Sequence, residues 1–127
     1  MSINAKEYHK KPDKFNKNIN KVMKIEKMRE RTAFDVYGDT AKDPDKAVLV
    51  MMEEDVHVNL NMAKGITLCE DEGEFLIEDM TAYRRAMNND QSKWRRFVKK
   101  YGVPEIGMKV NLMLNDNLYY EILFEDD

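Results

Sequence analysis

From Val56 to Met62 the chain alternates without a break: Val56, Val58, Leu60 and Met62 fall on one side, and His57, Asn59 and Asn61 on the other. Successive side chains of extended backbone point to opposite faces, so a period of two marks a strand with one buried and one wetted face. A helix could not bury those four apolar residues together, because positions two apart stand about 200° apart around its axis. The segment therefore requires a sheet, and a sheet requires partner strands.

Candidates for those partners lie close by. Ala47 to Met52 is the longest apolar run in the chain and reads as a buried strand. Ile66 to Glu70 and Glu74 to Glu78 alternate around Gly73, which predicts a hairpin whose turn carries Glu70, Asp71, Glu72 and Glu74. A meander of three or four antiparallel strands follows. Near the C-terminus, Met108, Val110, Leu112 and Leu114 alternate with polar residues, Asn115 to Asn117 supply a turn, and Leu118, Tyr120, Ile122 and Phe124 alternate again, predicting a second hairpin.

Two other stretches carry helical spacing. In the first, Pro12 suits an opening turn and Phe15, Ile19, Val22 and Met23 share a face that Ile25 and Met28 widen, predicting a helix over 13–31. Its remaining surface is basic, with Lys14, Lys17, Lys21, Lys24, Lys27, Arg29 and Arg31. In the second, over 80–101, Met80, Tyr83, Met87, Trp94, Phe97, Val98 and Tyr101 fall within about 100° of one another on a helical wheel. Asp79 or Thr81 can cap its start, Gly102 suits its end and Pro104 forbids continuation; the polar run Asn88 to Ser92 could divide it, with Asp90 or Ser92 as a second cap. Between the first helix and the strands, residues 34–46 hold Gly38, Pro44 and four aspartates and read as an acidic connecting loop. The resulting class is α+β: an antiparallel sheet of meander plus C-terminal hairpin with two amphipathic basic helices. At 127 residues the length suits one domain over 13–127, preceded by an arm at 1–12 that has no apolar period.

Charge narrows the functional reading. The net charge of −3 conceals an alternation. Residues 1–31 hold ten Lys/Arg against four Asp/Glu, 32–79 three against thirteen, 80–103 seven against one, and 104–127 one against six. Burying the Trp94 side of the second helix must turn Arg84, Arg85, Lys93, Arg95, Arg96, Lys99 and Lys100 outward. Those cations either pair with the acidic block of the same fold or await a negative partner outside it. The repeat of the pattern at 13–31 exceeds what one acidic meander easily covers, which favours the outside partner.

Catalytic and metal chemistry finds little footing. Asp55, His57 and Asn59 share a strand face, which permits an acid/base pair or a facial metal site around Asp55 and His57, but the only other histidine is His9 in the arm. The carboxylates at 53–55 and 70–74 do not follow the EF-hand spacing, and no glycine-rich phosphate loop or nucleophile elbow occurs. Cys69, alone, can form neither an internal disulfide nor a cysteine zinc cage, and reads as a small strand residue of a protein in a reducing, cytoplasmic compartment. No run is long and apolar enough to span a bilayer, so no membrane partner is expected, and no cofactor either. The expectation is a non-enzymatic adaptor or regulator that docks its basic helical faces on an acidic protein surface or assembly. The alternatives are a nucleic-acid binder using the same residues, against which an isoelectric point near 5.5 weighs, and a structural subunit of a viral or other particle whose arm drapes over a neighbour.

Overall fold

A computed structural model describes residues 20–124. In chain order the elements are β1 (Asn20–Lys24), β2 (Met28–Thr32), α1 (Ala33–Tyr37), β3 (Ala47–Met51), β4 (Val58–Asn61), β5 (Ile66–Cys69), β6 (Glu74–Ile77), α2 (Met80–Met87), α3 (Lys93–Tyr101), β7 (Lys109–Leu114) and β8 (Tyr120–Ile122). They form three small sheets, ordered β2-β3-β4, β1-β7-β8 and β5-β6, and every pairing is antiparallel. The α+β class and the C-terminal hairpin are as the sequence predicts.

The alternating segment becomes β4, paired so that Leu60 faces Leu49 and Val58 faces Met51. Val58, Leu60 and Met62 are buried and Val56 partly so, while Asn59 and Asn61 are only partly covered. The predicted meander is interrupted, however: β3 pairs with β4 and β5 with β6, but β4 and β5 lie in different sheets. Met62 and Ala63, just past β4, enter the core where the chain leaves the sheet.

The helix expected over 13–31 is not there in the described part. Residues 20–24 and 28–32 are strands, and 13–19 lie outside the described residues, as does the arm 1–12. Met23 and Ile25 point into the core while Val22, before them, is 60% exposed and Lys24, between them, is exposed, a period of two that the sequence hides among lysines. Ile25 and Met28 mimic helical spacing because the chain passes from one strand to the next between them. Pairing with β7 and β3 overrides the local preference of a lysine-rich stretch for helix.

Residues 34–46 also hold more structure than a loop. Thr32 caps α1 by accepting the Asp35 N–H at 3.1 Å, and the Asp35 carboxylate accepts the Thr32 N–H at 3.2 Å, a reciprocal pair that fixes the first turn. One turn of 3-10 helix, Gly38–Thr40, follows. The Asn59 amide donates to the Tyr37 hydroxyl at 3.1 Å, fastening α1 to β4.

The second helical stretch divides at Asn88–Ser92, and each half has its own cap. The Asp79 carboxylate accepts from the Ala82 N–H at 3.0 Å, and the Ser92 hydroxyl from the Arg95 N–H at 3.3 Å. Helix α3 drives the deepest wedge into the core: Trp94 is 1% exposed and Phe97 fully buried. Phe75 meets Trp94 edge-to-face with ring centroids 5.2 Å apart, and Tyr101 packs on Phe97 at 4.9 Å. The Tyr101 hydroxyl donates to the Leu123 carbonyl at 3.0 Å and accepts the Asn111 N–H at 3.3 Å, tying the helix end to β7 and to the residue after β8. Side chains from all three sheets converge on this wedge, among them Leu60, Leu68 and Leu112. On α2 the burial is shallower. Tyr83, Ala86 and Met87 are partly covered, but Met80, expected in the apolar stripe, is 46% exposed.

A carboxylate fastens the β5–β6 ribbon to its neighbour. Glu30 of β2 accepts the Leu68 N–H of β5 at 3.1 Å, and its own N–H donates to Glu70 at 3.1 Å. Arg31 joins the same corner with an ion pair to Glu70 at 3.6 Å. Glu30→Ala strands the Leu68 amide and should cost about 1–3 kcal/mol in chemical denaturation, with faster hydrogen exchange at Leu68; Glu30→Gln, which keeps an acceptor, should cost less.

Candidate functional site: a basic groove at the α2–α3 corner

The cations named from the sequence divide into separate groups. Lys14 and Lys17 lie outside the described residues. Lys21 and Lys24 sit on β1, where Lys21 lies over the Tyr120 ring at 5.9 Å and Lys24 stands opposite Lys109 across the ladder. Arg29 and Arg31 turn to the acidic block, pairing with Glu54 at 3.8 Å and Glu70 at 3.6 Å. No single helix gathers these residues, because strand pairing distributes them over two sheets.

Helices α2 and α3 keep their cations outward, as burial of Trp94 requires. Arg84, Arg85, Lys93 and Lys99 are exposed and form no ion pair with any described residue. Their neighbours are engaged: Arg95 pairs with Asp90, Arg96 lies over the Phe124 ring at 4.3 Å, and Lys100 over the Tyr101 ring at 5.7 Å. The structure thus answers the question of internal neutralisation in two parts. The β2 arginines are paired within the fold, and four helical cations have no ion-pair partner among the described residues.

Among the described residues, charged side chains line two of the surface grooves. The larger, about 690 Å³, carries Lys27, Arg29 and Arg31 against Asp35, Glu53 and Glu54, with His57 at its edge. Its charges largely answer one another. Asp55 and His57 are both exposed, and among the described residues no three His, Cys, Asp or Glu side chains are grouped to hold a metal ion. Cys69 is half-buried on β5, opposite Glu74.

The smaller groove, about 370 Å³, is chemically one-sided. Lys46 and Lys64 meet Arg85 of α2 and Lys93 of α3 along its walls, with no carboxylate and no aromatic ring in the lining. Two of these four, Lys46 and Lys64, escaped the sequence reading because each is an isolated lysine in an acidic block. Only the folded chain brings them to the basic helices. Lys46 is placed by the turn before β3, where its N–H donates to the Asp43 carbonyl at 3.1 Å and its carbonyl accepts from Ala33 at 2.8 Å.

Lys64 is placed by its neighbour. The Gly65 carbonyl accepts the N–H groups of both Glu78 at 2.6 Å and Asp79 at 3.1 Å, fastening the β4–β5 turn to the start of α2. Gly65 has φ +88°, and a Cβ there would stand 2.2 Å from the Asp79 carbonyl oxygen. Only glycine admits both the left-handed conformation and the contact. The corner that holds the groove therefore depends on one missing side chain.

One carboxyl outside this groove has an altered affinity for protons. Glu53 is held above the ordinary glutamate range, first by a hydrogen bond with Glu26 and then by that residue's charge and by slight desolvation, against an opposing pull from Lys27. No described helix is long and apolar enough to cross a membrane. Comparison of the chain with protein-family models, with curated proteins and with solved structures gives no match.

Gly65→Ala should lose roughly 2–4 kcal/mol of folding stability in denaturant titration, since left-handed strain adds to a backbone clash. A raised folded-state pKa on an acid means that the folded form binds the proton more tightly. Stability therefore gains as pH falls through the Glu53 value, and the gain is complete below the ordinary glutamate range. Glu53→Gln should accordingly melt higher than wild type at neutral pH, with the difference vanishing in melts taken near about pH 4.

Proposed function

We propose that this chain is a non-enzymatic binding protein of the cytoplasm that docks on an acidic surface of a larger protein or assembly through the α2–α3 corner. The observation that carries this reading is the set of four exposed helical cations, Arg84, Arg85, Lys93 and Lys99, with no carboxylate partner among the described residues. A fold this rich in acid could have neutralised them, as it does Arg29 and Arg31. Exposed like-charged groups held on short, capped helices are preorganised for a negative partner and guide its approach over about a Debye length, some 10 Å at 0.1 M salt.

An acidic protein partner suits the chain better than nucleic acid does. With a net charge of −3, the molecule as a whole repels a polyanion, so attraction has to be local. Trp94 and Phe97, which flank Lys93 and Lys99, are buried and unavailable for stacking on bases, and Tyr83, beside Arg84, is partly buried against the core. The half-buried Cys69, unable to form an internal disulfide, fits a reducing compartment.

The test is a comparison of wild type with the quadruple variant Arg84→Glu, Arg85→Glu, Lys93→Glu and Lys99→Glu. Fluorescence anisotropy against poly-glutamate and against a charge-matched DNA duplex should give wild-type binding to the former that weakens with salt, and at least about a tenfold loss in the variant. Because the replaced groups are exposed, thermal stability should hardly change. Equal binding by variant and wild type, or preference for the duplex, would remove this reading.

A further inference from the structure

We infer that the groove between the β4–β5 turn and the α2–α3 corner is the grip of this surface, and that its occupant is an acidic peptide segment whose carboxylates flank a small apolar side chain. The inference rests on the docking reading above and commits it to a position, adding Lys46 and Lys64 to the residues that bind. Four cations approach one recess of about 370 Å³, each exposed and each without an ion pair among the described residues. Two come from turns of the sheet and two from the helices, so the recess exists only in the folded chain.

The lining selects among anions. Met62, Ala63, Ala82 and Ala86 also line the recess, the two helical alanines half-exposed, and give it a small apolar surface that a sugar-phosphate backbone could not use but an alanine side chain could cover. No ring is present to stack on a base. Asn61, Asn89 and Gln91 add side-chain amides able to donate to carboxylates or to the carbonyls of extended peptide. Cations and a small apolar surface in one recess match carboxylates that alternate with small apolar residues.

Such a groove also explains the form of the corner. The double hydrogen bond to the Gly65 carbonyl holds Lys64 against α2, and the Ser92 cap holds Lys93 at the first position of α3. Both cations are thus fixed at their main-chain attachment, which lowers the ordering cost of binding.

The probe is a short fluorescein-labelled peptide alternating glutamate and alanine, titrated at low salt against the full chain and read by anisotropy, beside an oligodeoxythymidine of equal charge. Lys46→Gln with Lys64→Gln should lower peptide affinity about tenfold, the loss of two charge contacts together. Lys24→Gln with Lys109→Gln, exposed cations of β1 and β7 outside both the groove and the helical docking set, should change it by less than about twofold. Replacing the alanines of the probe with serine should weaken binding further. If the lysine pair binds the peptide as wild type does while charge reversal on the helices abolishes binding, the groove inference fails and the docking reading survives. If wild type ignores the peptide, both fail. If the oligodeoxythymidine binds more tightly, the ligand class is wrong.

Discussion

Burial of Trp94 and Phe97 is the constraint on which the rest of the molecule depends. These two rings are the largest fully buried side chains among the described residues, and they form the centre around which three small sheets meet. Truncating either would remove about 3–5 kcal/mol, a large part of what holds a domain of this size together. Because they occupy one side of a nine-residue helix, the orientation of that helix is not free. Its arginines and lysines face outward as a consequence of packing, whatever they bind. Function here, on our reading, uses a surface that the core had already oriented.

A second constraint converts that surface into a site. Three short sheets in place of one continuous sheet leave corners, and the molecule secures them with side-chain and single main-chain contacts rather than long ladders. Glu30 secures the β5–β6 ribbon, Tyr101 secures the end of α3, and Gly65 secures the start of α2. The last of these brings a lysine from an otherwise acidic stretch beside a basic helix. The charge alternation along the sequence is therefore not copied into alternating patches on the surface. Acidic and basic blocks interleave, some of their members cancel, and a few cations are left together.

The sequence made the sheet-forming segments legible where a strict period of two ran for four or more residues, as in β4 and β7, because burial on one face leaves few other arrangements. It was equally clear for α3, where caps, stripe and terminating glycine agree. It misled at residues 20–32, where two short strands joined near Glu26 and Lys27 imitate a helical stripe, and only distant pairing partners distinguish the two. The short helix α1 hid among aspartates that more often make turns, although its Thr32 and Asp35 caps were there to be read. Half of the groove was legible, Arg85 and Lys93, since a helical wheel reports which way a residue points. Lys46 and Lys64 were not, since nothing local to an isolated lysine says what the fold will bring to it.

Trp94 is the sole tryptophan of the chain, and it sits at the junction of α3 with β6. Its indole N–H has no hydrogen-bond partner among the described residues. A lone indole in an apolar, unbonded setting emits at short wavelength and shifts to the red as soon as water reaches it. The protein thus carries its own optical gauge of core integrity, a few residues from the cations proposed to bind. Damage to packing and damage to recognition can be read separately in one cuvette.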